Sequence, residues 1–145
     1  MPEYSSGRSC SVNRVEVAAE TVANPTEDPA KVERALRAIL KEGSIERLSL
    51  GRESYLLRVK ANGLNSLVPL QGLLRQDRIR DAARSILFSG IAGKTIRFHL
   101  NKQVAYVNHV SFSQPSGESP LGPISVEISC DNPESLIDWI APRSR

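Results

Sequence analysis

Apolar residues recur along the chain in two periods, and each period predicts a different element. Val15, Val17, Ala19 and Val22 fall within a largely alternating stretch that predicts a strand from about Arg14 to Ala23. Asn24-Pro25-Thr26-Glu27-Asp28-Pro29 ends it and starts a helix. Asp28 can accept from the first free amides, and Pro29 has no amide to leave unpaired. Val32, Ala35, Leu36, Ile39 and Leu40 then follow the spacing of one buried helical stripe, which Gly43 can close in a left-handed turn. Two strands follow near Ser44–Leu50 and Tyr55–Ala61, joined at Gly51-Arg52-Glu53. In the second, Leu57 and Val59 point one way, Arg58 and Lys60 the other.

Asn62-Gly63 breaks the chain, and a long helical region begins near Asn65 or Ser66. Leu67, Leu70 and Leu74 share one face, whereas Ile79, Ala82, Ala83 and Ile86 fall about a third of a turn or more away at ~100° per residue. Either one helix bends or two meet near Arg75-Gln76-Asp77. Two segments are favoured, with Asp77 a candidate cap of the second. Gly90 to Lys94 is a turn. Thr95–Leu100 and Gln103–Phe112 alternate and predict a hairpin over Asn101-Lys102. Pairing Leu100 with Gln103 sets Ile96, Phe98, Ala105 and Val107 on one face, and Arg97, His99, Tyr106 and Asn108 on the other. Ser113–Pro123 reads as a loop, Ile124–Ser129 as a last strand, and Glu134–Ile140 as a short helix carrying Leu136, Ile137 and Trp139. The order β-α-β-β-α-α-β-β-β-α predicts an α+β fold: a single antiparallel-rich sheet with helices packed on one face.

A length of 145 residues argues for one domain, over residues 14–145, behind a polar and aperiodic tail, residues 1–13, expected to be disordered. Apolar residues make up 40% and charged ones 24%, ordinary for a globular chain. Uninterrupted apolar runs reach four residues at most, against the ~20 of a spanning helix. Cys10 and Cys130 match no metal or redox spacing, and the opening residues lack a secretory pattern, so a cytoplasmic protein is expected.

The net charge of +3 conceals a gradient. Residues 75–109 hold seven basic groups against Asp77 and Asp81, whereas residues 110–145 hold two basic against five acidic. A basic middle suggests a positive face suited to a phosphate backbone. Arginine outnumbers lysine 14 to 5, and its fork pairs with two phosphate oxygens at once. Catalytic chemistry finds less support. Gly93-Lys94-Thr95 imitates the end of a phosphate-binding loop, but Ser89 holds the place of the required glycine and the flanks run helix then strand. His99 and His109 are the only histidines and fall on opposite strand faces, which counts against a shared metal site. No Gly-x-Ser-x-Gly elbow exists. Catalytic residues, a metal, a cofactor and a small-molecule substrate are therefore not expected.

The candidate RNA-binding residues are Arg75, Arg78, Arg80, Arg84, Lys94, Arg97, His99, Lys102 and Tyr106, with Tyr106 as a stacking ring. Aromatic pairs of the kind an RNA recognition motif carries on its central strands are missing, since the chain has three Phe and three Tyr. Five segments carry a resemblance: Asn24–Pro29, Arg78-Ile79-Arg80-Asp81-Ala82-Ala83-Arg84, Leu100–Gln103, Ser119–Ile124 and Ile137–Pro142. Over about Arg14 to Pro142 the chain resembles an archaeal family of uncharacterised, predicted RNA-binding proteins. Their fold resembles the ribosomal protein that binds five-S ribosomal RNA. The resemblance implies a ribosomal-protein-like fold and an RNA partner, structured and ribosome- or processing-associated. It implies no catalytic residues.

The alternative is a protein–protein interaction module of an archaeal complex without RNA contact. Pro120-Leu121-Gly122-Pro123 would shape its docking loop, and Glu127, Asp131, Glu134 and Asp138 would meet a basic partner. A homodimer is also expected, because Val104, Tyr106, Val110 and Phe112 would form an apolar face on the hairpin's second strand.

Overall fold

The computed structural model describes residues 14–40, 43–105, 109–112 and 123–142. Alternation builds the first strand, β1 (Val15–Ala23), whose odd-numbered residues are buried. Asp28 caps the helix that follows, α1 (Pro29–Ile39). Its Oδ1 accepts from the Ala30 amide at 3.0 Å, and Val32, Ala35, Leu36 and Ile39 form the buried stripe. Gly43 lies at φ 136°, where a Cβ would run into the Lys60 carbonyl, so no other residue fits where the chain joins the sheet. Strands β2 (Ser44–Gly51) and β3 (Ser54–Asn62) pair through a turn in which Gly51, Arg52 and Glu53 all have positive φ.

After a 3₁₀ turn, α2 (Val68–Gln76) and α3 (Arg80–Ser89) form two separate helices. Their apolar stripes differ in direction, and the break lets each reach the core: Leu70 and Leu74 from α2, Ala83 and Leu87 from α3. A tight hairpin joins β4 (Ile91–Ala92) to β5 (Thr95–Asn101), with Gly93-Lys94 as its turn. A single-turn helix, α4 (Lys102–Ala105), precedes β6 (Pro123–Cys130) and α5 (Pro133–Ile140). Six antiparallel strands lie in the order β2-β3-β1-β6-β5-β4, and the helices cover one face. The fold is α+β, and the strands and principal helices follow the expected order, with α4 added. Among the described residues no helix is long and apolar enough to cross a membrane.

The hairpin over Asn101-Lys102 is corrected. The Asn101 side chain accepts from the Val104 amide at 3.3 Å, turning the chain into α4 where a two-residue loop was expected. β6 pairs with one side of β5 along its whole length; on the other side, among the described residues, β4 takes Thr95 and Ile96, and the returning chain meets β5 at Asn101–Ser111 and Leu100–Phe112. Two residues of the apolar face assigned to a second copy are used within the chain. Val110 is buried, and Phe112 packs on Phe98 with ring centroids 5.8 Å apart. Tyr106, the tail 1–13 and the docking loop Pro120–Gly122 lie outside the described residues.

Candidate nucleic-acid interface

The corner between α2 and α3 gathers three arginines. Arg75 lies in the last turn of α2, Arg78 stands in the left-handed region at φ 59°, and Arg80 opens α3. Together with Asp81 they line a concavity of about 390 Å³. Arg75 and Arg78 are exposed and Arg80 is half-buried. None of the three makes an ion pair with another described residue, whereas Arg58, Arg84 and Arg97 are each bound to a carboxylate. The first turn of α3 adds amides with no side-chain cap, since Ile79 holds the cap position.

Asp77 fixes this corner, though not as the cap of α3. It ends α2, its amide donating to the Leu73 carbonyl at 2.9 Å. Its carboxylate reaches across to residues 109–112: Oδ2 accepts from the Val110 amide at 2.8 Å, and Oδ1 lies 2.9 Å from His109 Nδ1. The Val110 amide, and then the His109 ring, hold the Asp77 carboxyl below the usual carboxylate range, against the opposing effect of burial. Asp77 thus ties the basic corner to a distant segment, and no local pattern around it signals that role.

The remaining candidates do not join this cluster. Lys102 is corrected outright: its side chain is 0% exposed, and Nζ donates to the Val22 carbonyl at 2.6 Å and to Glu27 Oε1 at 3.0 Å. It cannot meet a phosphate. Burial pulls its ammonium below the ordinary lysine range, and Glu27 offsets only part of that. Arg84 is 13% exposed. Its Nη1 binds Asp138 at 2.7 Å and the Ala141 carbonyl at 3.2 Å, and its guanidinium lies over the Phe88 ring. Arg84 therefore serves mainly to join α3 to α5. Lys94 is exposed in the β4–β5 turn, separated from Arg80 by the length of α3, about 15 Å.

Arg97 and His99 occupy the sheet face opposite the helices. Arg97 Nε binds Glu127 at 3.1 Å, and His99 Nδ1 lies 3.1 Å from Ser125 Oγ. Strand register assembles this open face into rows. Glu46, Arg58, Glu20, Ser125 and His99 form one; Ser44, Lys60, Ala18, Glu127 and Arg97 form the next. Charges of both signs alternate and neither row holds a Phe, Tyr or Trp ring, so these rows offer bases little stacking platform and phosphates little net attraction. The acidic groups of the alternative reading are dispersed too: Glu127 pairs on the open face and Asp138 pairs with Arg84 of α3. Among the described residues no three His, Cys, Asp or Glu side chains are placed to hold a metal ion.

Comparison with known proteins adds to this geometry. Residues 16–130 match a family model described as RNA binding. The chain is similar to a UPF0201 protein of Sulfolobus acidocaldarius, 42% identical over 128 residues that cover 88% of each chain. Another UPF0201 protein, from Pyrobaculum neutrophilum, is 42% identical over 82% of this chain and 83% of its own. Among solved structures, the UPF0201 protein from Methanococcus jannaschii superposes with a TM-score of 0.79 at 34% identity, covering 90% of this chain and 95% of that one. A DUF54 protein from Methanothermobacter thermautotrophicus, at 18% identity and a TM-score of 0.62 over 88% and 96% of the two chains, shares the fold.

Proposed function

The chain belongs to the archaeal UPF0201 family, and on that basis we propose that it is a non-catalytic RNA-binding protein gripping phosphate through Arg75, Arg78 and Arg80. The observation that carries this reading is the cluster itself: three arginines without an ion-pair partner among the described residues line one concavity, inside the segment that matches the RNA-binding family model. Each guanidinium can offer two parallel donors to phosphate oxygens. Lys94, exposed in the β4–β5 turn, would make a secondary contact with a large, structured RNA that runs along α3. The five-S-binding resemblance points to a ribosomal or processing RNA of that kind.

Filter binding against structured and single-stranded RNA over a salt series tests it. Each phosphate neutralised contributes about 0.7 to 0.9 to the slope of log affinity against log salt. Changing Arg75, Arg78 and Arg80 together to Gln should flatten that slope by at least one such increment. No affinity at low salt for either RNA refutes the proposal.

A homodimer is retained in a different place. β2 is an edge strand of the sheet among the described residues, and Leu48 and Leu50 on it are 59% and 53% exposed. Antiparallel pairing of β2 with its copy would satisfy that edge and bury both leucines. Light scattering during gel filtration should give twice the chain mass, reverting to the monomer for Leu48→Lys. A monomeric wild type at micromolar concentration rules it out.

A further inference from the structure

A protein that follows a nucleic-acid backbone needs cations spaced along a groove, one for each phosphate it passes. The other candidate residues do not extend such a track from the α2–α3 corner. Arg84 is bound to Asp138, Lys102 is buried, Arg97 and His99 lie on the opposite sheet face, and Lys94 stands at the far end of α3. Arg75, Arg78 and Arg80 instead line one concavity of about 390 Å³. That arrangement suits one phosphate group approached from several sides.

Charge narrows the choice further. Among the described lining residues, three arginines stand against the single carboxylate of Asp81. A phosphodiester inside a strand carries a single negative charge. A phosphomonoester carries about 1.5 to 2 at neutral pH, with three strong acceptor oxygens. The corner is also held in place before any ligand arrives, since Asp77 fastens it to Val110 and His109. Little ordering remains to oppose binding there.

Resting on the RNA-binding reading above, we propose that the Arg75–Arg78–Arg80 concavity is an end-recognition site that takes the terminal phosphomonoester of an RNA strand. Internal phosphates would meet the same arginines more weakly, with less charge and one fewer terminal oxygen. The chemistry is shared by a free mononucleotide, so the test must separate the two sources.

The experiment measures fluorescence anisotropy of a labelled single-stranded RNA with a 5′-phosphate, a 3′-phosphate or hydroxyls at both ends, using the full chain. One phosphorylated form should bind about tenfold or more tightly than the hydroxyl form, the scale of one added charge-assisted hydrogen bond. That preference should vanish in Arg75→Gln and in Arg80→Gln, measured separately. It should persist in Lys31→Gln, which removes an exposed charge from α1. Circular dichroism melts confirm that each variant is folded. Equal affinity for all three RNAs overturns end recognition and leaves the RNA-binding reading standing. No affinity for any RNA overturns both. Adenosine monophosphate competing as tightly as the phosphorylated RNA would keep the phosphate chemistry but overturn an RNA end as its source.

Discussion

Replacing Lys102 with Met keeps the length of the side chain and removes its charge. Lys102 is fully buried, with its ammonium 2.6 Å from the Val22 carbonyl and 3.0 Å from Glu27 Oε1. The Glu27 side chain is itself only 6% exposed. Its carboxylate also accepts from the Asn24 amide and from Asn24 Nδ2, both at 2.9 Å. Lys102→Met leaves that carboxylate buried without this cation and the Val22 carbonyl without this donor. Breaking a buried pair in this way costs about 3 to 5 kcal/mol. For a chain of this size each kcal/mol moves the midpoint by about 2 to 4 °C, so Tm should fall by roughly 6 to 20 °C.

Urea unfolding at pH 7 measures the loss directly, with the slope checked for constancy. The double variant Lys102→Met/Glu27→Gln discriminates charge from packing. The Glu27→Gln change keeps a side-chain oxygen that can still accept from Asn24 while carrying no charge, so the double variant should be more stable than Lys102→Met alone. A single-variant loss below about 1 kcal/mol, or a double variant no better than the single, would refute the view that this pair is held by buried charge.

The alkaline limb tests the same pair. Burial lowers the folded-state pKa of Lys102 below its unfolded value, so as pH rises through that lower value toward 10.5 the unfolded chain holds the extra proton. Stability of the wild type relative to Lys102→Met should therefore rise across that window in pH-dependent urea melts. Asp77 has its effect on the acid side: its folded pKa is lowered from 3.8, so its stabilisation is complete above that value and is lost as pH falls through the folded pKa. Asp77→Asn should flatten the acid limb and, with two contacts to residues 109–110 weakened, cost about 1 to 3 kcal/mol in urea melts. At Gly90 a Cβ would collide with the Arg97 carbonyl across the β4–β5 hairpin. Gly90→Ala should cost about 1 to 3 kcal/mol of overpacking, with early loss of amide protection at Arg97 by hydrogen exchange.

Local pattern fixed most of the elements in this protein. Alternation at Val15, Val17 and Ala19, the Asp28-Pro29 start of α1 and the i, i+3, i+4 stripe of Val32, Ala35, Leu36 and Ile39 act over neighbouring residues, and each appears where its period places it. The expected rotation between the apolar stripes appears as a break between α2 and α3, although Ala82 and Ile86 of the expected second stripe are exposed and Leu87 is buried beside Ala83. Tertiary packing settled what alternation could not carry. The stretch after Lys102 had the period of a strand, but the Asn101 side chain accepts from the Val104 amide and the chain turns into α4 before it returns to β5 at Phe112. The fates of the basic residues were settled the same way. Charge is readable in a sequence, but whether a guanidinium or ammonium finds a carboxylate depends on segments far away in the chain. Asp138 claims Arg84 from 54 positions away and Glu27 claims Lys102 from 75. Arg75, Arg78 and Arg80 stand without an ion-pair partner among the described residues, because the fold brings no described carboxylate into ion-pair contact with them.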